Sequence, residues 1–135
     1  MNTYNVNNSE FLNSNLYKDY INENKGIGKL RVRAYAASGA IPISGLKIVV
    51  SAIYKNNKII FFEGETNISG IIDDIKLPAP INDESDLESP KKQVYTIEAT
   101  YVPDDINEKY NVNLYDGVCV VQNIKVTPSM NGSGL

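Results

Sequence analysis

The chain has 135 residues, of which 42% are hydrophobic, and its 13 basic and 16 acidic side chains give a net charge of −3. A chain of this length is about one domain and buries enough surface for an ordinary apolar core. A net negative charge without a basic stripe disfavours nucleic acid and acidic membranes as partners. The absence of histidine and the single cysteine exclude a Ser-His-Asp triad, a Cys-His pair and the common zinc sites.

Composition divides the chain into a disordered lead over residues 1–8, a single domain over residues 9–128 and a flexible tail over residues 129–135. The lead is rich in asparagine and has little to bury. Residues 1–27 contain no apolar run typical of a signal peptide, and no segment has the roughly 18 apolar residues of a membrane span. We therefore expect a cytoplasmic protein without a membrane partner.

A helical period runs through residues 9–25, with Ser9 as the N-cap and Gly26 as the stop signal. The apolar stripe of this amphipathic helix consists of Leu12, Leu16, Tyr17, Tyr20 and Ile21. Such a helix either packs on the sheet that follows it or offers its apolar face to another chain. Packing on its own sheet is favoured because apolar rows of this kind are usually sheltered from water.

From Lys29 onward the apolar residues alternate with polar ones, which is typical of strands with one wet face. The pattern predicts seven strands, at residues 29–36, 46–53, 59–66, 71–77, 93–102, 110–114 and 118–127. Turn residues separate successive strands at Pro42 and Gly45, at residues 55–58, at residues 67–70, and at Asp116 and Gly117. These turns predict hairpins between neighbouring strands. Seven strands without βαβ alternation predict an all-β, antiparallel, two-sheet sandwich.

Cys119 lies in the last predicted strand, within the sequence GVCVV. One cysteine cannot form an intrachain disulfide, and this setting predicts a small apolar residue rather than an exposed thiol. Alternation places Cys119 and Val121 on one face of the strand, an assignment that a bulge near Gln122 would change. The opposite face holds Val118, Val120, Gln122, Ile124 and Val126.

Several segments together resemble a known family. They are GIGKLRVRAYAASGAIPISGLKIVV, ETNISGIIDDIKLPAP, YTIEATY and LYDGVCVVQNIKVTP. They are similar to the transthyretin-like, or carboxypeptidase-regulatory-like, sandwich of clostridial proteins commonly labelled as spore cortex-lytic. The motifs are turns and strands, so the resemblance implies a scaffold and no particular reaction. The family's usual Gly-Tyr after YTIEATY is replaced here by Val102 and Pro103, followed by a longer polar insertion.

Acidic side chains are the candidates for catalysis that remain. Glu63 and Glu65 share a face of the third predicted strand, and Glu98 lies on the fifth. A glycosidase needs two carboxyl groups about 5–9 Å apart, one of them held protonated by burial. Because glutamate on the wet side of a strand is ordinary, we predict no catalytic residues and no enzyme. Transthyretin-like folds include a purine-pathway hydrolase whose active site resembles a histidine-dependent one. Because this chain has no histidine, that activity is excluded.

An acidic loop spans residues 81–92. It carries Asp83, Glu84, Asp86 and Glu88, followed by Lys91 and Lys92. The spacing of the carboxylates does not match a calcium-binding loop that ends in a bidentate glutamate. We predict a solvated loop, and neither a metal nor a cofactor.

Gram-positive adhesin sandwiches of the CnaB-like type resemble this topology and contain a Lys-Asn isopeptide bond. That bond needs a buried lysine on an early strand, a buried asparagine on the last strand and a carboxyl group between them. The candidates are Lys29 or Lys47, Asn123 and Glu98. Both lysines alternate onto the polar face, and an isolated amine in the core is costly. The pattern therefore disfavours the bond.

The resemblance implies a non-catalytic structural or protein-interaction module, associated with spore or cell-envelope assembly in a Gram-positive spore former, in the mother cell or the spore. Edge strands or the N-terminal helix would contact a protein partner or a second copy of the chain. The alternative is a glycan- or peptidoglycan-binding domain, because rows of tyrosine stack on sugar rings and the chain has nine tyrosines. Tyrosine is also a good strand former, and tryptophan, common on sugar platforms, is missing.

Overall fold

The computed structural model describes residues 1–127, and the predicted tail over residues 129–135 lies outside this range. The helices are α1 Ser9–Leu12 and α2 Asn15–Glu23. The strands are β1 Thr3–Asn5, β2 Gly26–Ala36, β3 Ile41–Pro42, β4 Lys47–Tyr54, β5 Asn57–Glu65, β6 Ile71–Ala79, β7 Gln93–Tyr101, β8 Ile106–Leu114 and β9 Cys119–Lys125. Three short 3₁₀ segments lie at Ala37–Gly39, Glu84–Asp86 and Val102–Asp104.

The strands form two sheets that share one apolar core, which confirms the predicted sandwich. One sheet has five strands in the order β1-β5-β4-β7-β8. In the other sheet β2 is central. It pairs with β6 along most of its length, with β3 at its end, and with β9. Two pairs, β1 with β5 and β2 with β9, are parallel. The sequence pattern predicts antiparallel pairing throughout, and these two parallel pairs depart from it.

The period-two alternation holds through the central strands of both sheets. The inward residues of β2 and β4 are almost fully buried, namely Leu30, Val32, Ala34, Ile48, Val50 and Ala52. Lys29 and Lys47, the neighbours of these residues on the other face, are exposed. Successive side chains of a strand point to opposite faces, so one apolar row and one polar row follow from a single segment.

Three of the four predicted hairpins are wrong, because the connections cross from one sheet to the other. β3 pairs with the end of β2, and the segment after β3 then leads into β4 of the opposite sheet. The segments after β5 and after β8 also lead into a strand of the opposite sheet. The connection between β4 and β5 is the confirmed hairpin, with Lys55 at φ 46° and Asn56 at φ 60°. Two consecutive residues with positive φ are typical of the two-residue turn whose twist matches that of the flanking strands in a hairpin. Turn chemistry in the sequence is the same for a hairpin and for an arch between sheets, so the pattern did not distinguish them.

Residues 1–8 were predicted to be a disordered lead, and here the prediction is wrong. β1 pairs in parallel with β5, and the Tyr4 ring stacks on the Phe11 ring with centroids 4.9 Å apart. The Asn8 side chain accepts hydrogen bonds from the first backbone N–H groups of α1 and acts as its N-cap. The segment is held by strand pairing with β5, which is distant in sequence, and by local contacts with α1.

The single helix predicted over residues 9–25 is instead two helices. The break falls before Asn15, where the Ser14 side chain caps α2 by accepting a hydrogen bond from the Tyr17 N–H at 3.2 Å. Tyr20 is fully buried against the sandwich, which supports packing on its own sheet. Phe11, absent from the predicted stripe, is buried, whereas Leu12 is 38% exposed. Within the described range, neither helix has the length and apolar character to cross a membrane.

Candidate functional site

The three candidate glutamates lie on the outer face of the five-stranded sheet. Glu63 of β5 and Glu98 of β7 both pair with Val49 of β4, from opposite sides. Their backbones are therefore about two strand spacings, or roughly 10 Å, apart. The Asn5 amide donates to Glu63 Oε1 at 3.3 Å, and Glu65 lies opposite Lys47 in the register.

The charge state of Glu98 is unsuited to general acid catalysis. Lys58 Nζ donates to Glu98 Oε1 at 2.7 Å, and this hydrogen bond lowers the pKa of Glu98 below its ordinary value. A glycosidase acid needs the opposite shift, which holds its proton at neutral pH. Each side chain of the pair is 27% exposed, so the Lys58–Glu98 contact is an ordinary half-buried ion pair on a sheet face.

Two carboxylates of the acidic loop, those of Asp83 and Asp86, find their partners within the loop. The Asp83 carboxylate accepts from the Ser85 N–H and hydroxyl, and these hydrogen bonds lower the pKa of Asp83. Asp86 accepts from the Asp83 N–H at 2.9 Å and pairs with Lys91 at 3.3 Å. No three histidine, cysteine, aspartate or glutamate side chains in residues 1–127 are grouped to hold a metal ion.

The four isopeptide candidates are not brought together. Lys29 is exposed and pairs with Asp74 at 3.7 Å. In the pairing of β2 with β9, Lys29 lies opposite Cys119 and Asn123 lies four positions further along, about 13 Å away. Glu98 and Lys47 belong to the other sheet. The structure therefore gives no geometry for the bond.

All nine tyrosines lie in the described range, and each is buried or half-buried. Tyr20 donates its hydroxyl to the Tyr95 hydroxyl at 2.8 Å, and Tyr95 donates to the Pro78 carbonyl. The Phe61 ring contacts both tyrosine rings, with centroid distances of 5.2 and 5.4 Å. This tyrosine cluster joins α2 to both sheets, and it explains two of the nine tyrosines as core residues.

Alkaline pH should destabilise the protein through this cluster. Burial raises the pKa of Tyr20 and of Tyr95. In the unfolded chain both groups ionise near pH 10, while in the folded protein they keep their protons, so stability is lost as the pH rises above about 10. Two such groups contribute a slope of about 2.7 kcal/mol per pH unit at high pH. Urea unfolding between pH 9 and 12 should show a shallower decline for the Y20F/Y95F variant, and equal slopes would contradict the assignment.

β9 is the least protected strand edge in residues 1–127. It pairs with β2 on one side, in unbroken register from Cys119 to Lys125, and Lys125 is its one charged residue. Val121 is 52% exposed, and Val118, just before the strand, is 45% exposed. Within β9 the predicted alternation is confirmed, since Ile124 is buried and Val121 is exposed, whereas Val118, predicted on the face of Ile124, precedes the strand and is exposed.

Cys119 itself corrects the sequence-based prediction. The thiol is exposed, not packed as a small apolar residue. The reason is the position of β9 at an edge with its outer face uncovered, a feature that alternation alone does not reveal.

The other edges are better protected against strand addition. β1 has three residues, and β6 is interrupted by a register shift at Asp73 and Asp74 and contains Pro78. β8 is regular in register, but its exposed positions are polar or charged, including Glu108 and Lys109. Short strands, bulges, proline and charge are the usual devices that block edge pairing. Of these protective features, β9 has only the charge of Lys125, its last residue.

No protein-family model matches the chain, and no curated protein matches it by sequence. Among the solved structures that resemble the chain are the following two. One is the 5-hydroxyisourate hydrolase of Klebsiella pneumoniae, with 13% identity over 76% of this chain and 86% of that one, at a TM-score of 0.49. The other is transthyretin from Sparus aurata, with 17% identity over 74% of this chain and 89% of that one, at a TM-score of 0.48. Both are transthyretin-like proteins, and at this level the similarity says nothing about the activity of this chain.

Proposed function

We propose that this chain is a non-catalytic protein-interaction module that associates through the open edge of β9, with a second copy of the chain as its partner. The observation that carries the proposal is an unbroken seven-residue edge strand with exposed Val121, preceded by exposed Val118. Backbone N–H and C=O groups along such an edge accept another strand, and exposed apolar side chains beside it add buried area.

A second copy suits this edge because the strand is self-complementary. In a two-fold arrangement the same strand pairs with itself in antiparallel orientation. If the axis passes near Gln122, the middle of β9, Lys125 of each copy lies opposite Cys119 of the other. The two ammonium groups are then at opposite ends of the pair, so the strand brings no like charges together.

A role without catalysis is supported by the chemistry of the candidate groups. Glu98 is held ionised by Lys58, and the chain has no histidine to act as a base near neutral pH. In the acidic loop, the Asp83 carboxylate is bonded to Ser85 and the Asp86 carboxylate to the Asp83 N–H and Lys91.

Sedimentation velocity of the full chain in reducing buffer tests the proposal, with reductant present because Cys119 is exposed. We expect a concentration-dependent dimer that V121K weakens about tenfold or more, since a lysine on an edge opposes strand addition. V94K is the matched control, because Val94 is 41% exposed but lies on β7, between β4 and β8. A wild-type chain that stays monomeric, or equal weakening by V94K, would overturn β9 as the interface.

Association with spore or cell-envelope assembly in a Gram-positive spore former is part of the same proposal, and it rests on the resemblance of the turn and strand motifs. The alternative is a glycan- or peptidoglycan-binding module. It has less support than association through β9, because the tyrosines that would stack on sugar rings are buried or half-buried. Retention on insoluble peptidoglycan that survives moderate salt would favour the alternative.

A further inference from the structure

A cleft of about 400 Å³ opens between α2 and the β6 edge of the sandwich, away from β9. Its walls are mainly apolar and include Tyr17 and Ile21 from α2, Phe61 from β5 and Pro78 from β6. Small-molecule sites are typically concave, mostly apolar and about 300–1,000 Å³ in volume, with a few polar groups that fix orientation. The cleft has this size and composition.

One buried polar side chain in the wall lacks a partner for its acceptor. Asn24 is 4% exposed, and its Nδ2 donates to the Tyr20 carbonyl at 3.0 Å. Its Oδ1 accepts no hydrogen bond from any residue in the range 1–127. A buried acceptor without a donor is costly, so a ligand with an N–H or O–H group would gain from this position.

Two lysines give the cleft a positive charge. Lys25 and Lys76 both line it, both are exposed, and neither forms an ion pair with a residue that the structure describes. Lys76 also lies directly opposite Lys29 in the pairing of β2 with β6. Because Asp74 already pairs with Lys29 at 3.7 Å, the cations left for an anion at the cleft are Lys25 and Lys76.

We propose that this cleft binds a small amphipathic organic anion, with an aromatic or acyl body against the apolar wall, a hydrogen-bond donor toward Asn24 and an acidic head group between Lys25 and Lys76. The apolar lining, the Asn24 side chain and the two lysines would contact these three parts of the ligand, respectively. The site is separate from the β9 edge and does not depend on association there.

Fluorescence titration with 8-anilinonaphthalene-1-sulfonate tests the proposal, because this probe has aromatic rings, an N–H group and a sulfonate. N-phenyl-1-naphthylamine is the same molecule without the sulfonate. We expect saturable binding of the sulfonate at one site per chain and a loss of about threefold to tenfold in affinity for K25Q/K76Q. Affinity for the neutral probe should be unchanged by the same substitutions.

The matched control is K47Q/K92Q, which removes two exposed lysines that do not line the cleft. It should bind the sulfonate as the wild type does. Equal weakening in this control would mean that only overall charge matters and would overturn the site. No saturable binding of the sulfonate would also overturn it. Binding of the neutral probe as tight as that of the sulfonate would assign the cleft to uncharged apolar ligands and contradict the anionic class.

Discussion

Replacing Gly70 with alanine is expected to lower the free energy of unfolding by about 3–5 kcal/mol. Gly70 has φ 74°, which is strained for any residue with a Cβ. A Cβ at this position would lie 2.4 Å from the Ala34 carbonyl oxygen and 3.1 Å from the Ile43 backbone nitrogen. The Ala34 N–H also donates to the Gly70 carbonyl at 2.7 Å, so neither backbone segment has room to move away.

Gly117 provides the matched control for this substitution. It has the same φ of 74°, but a Cβ there would meet no atom within 4 Å. G117A should therefore show the backbone strain alone, about 1–2 kcal/mol. Urea unfolding followed by circular dichroism measures both variants. A G70A variant no less stable than G117A would mean that the crossing between the sheets is not tightly packed at this point.

Replacing Tyr20 with alanine is expected to cost about 3–5 kcal/mol, because it removes a fully buried aromatic ring and leaves a cavity. The ring contacts Tyr54 edge-on at 5.1 Å and Phe61 at 5.2 Å, and its hydroxyl bonds to Tyr95. Aromatic contacts of this kind add to the loss from burial alone. The variant should unfold at a lower urea concentration than the wild type. The circular dichroism signals of the helices and of the strands should change together in one transition.

Leu12, in the neighbouring helix α1, is the control, since it is 38% exposed and L12A should cost less than about 1 kcal/mol. If Y20A abolished helix signal while the unfolding midpoint of the strands stayed unchanged, the helix would be an independent arm. Its apolar face would then be available to another chain, the alternative that the sequence left open.

The strands of the core were predictable because burial on one face imposes a period of two. Lys29 and Lys47 point outward as alternation requires, and this placement also removes them as isopeptide partners. The first half of β8 was missed because its residues are polar or exposed, as Asn107 and Glu108 are, and lie on an edge strand. Edge strands need not alternate cleanly, so their sequence pattern is weak.

The features that bear on function depend on contacts between distant segments. β1 is three residues long and exists through its pairing with β5, so no local pattern predicts it. The exposure of Cys119 follows from the edge position of β9, and the cleft follows from the placement of α2 beside Pro78. Asn24 and Lys76 belong to different elements, and the sequence offered no signal that they share a wall.

Amide hydrogen exchange in dilute and in concentrated wild-type protein tests the central claim most directly. We predict that the amides of β9 that are not bonded to β2 gain protection as the concentration rises, while those of β8 do not change. Protection that stays the same in β9, or that appears in β8 instead, would contradict association through the β9 edge.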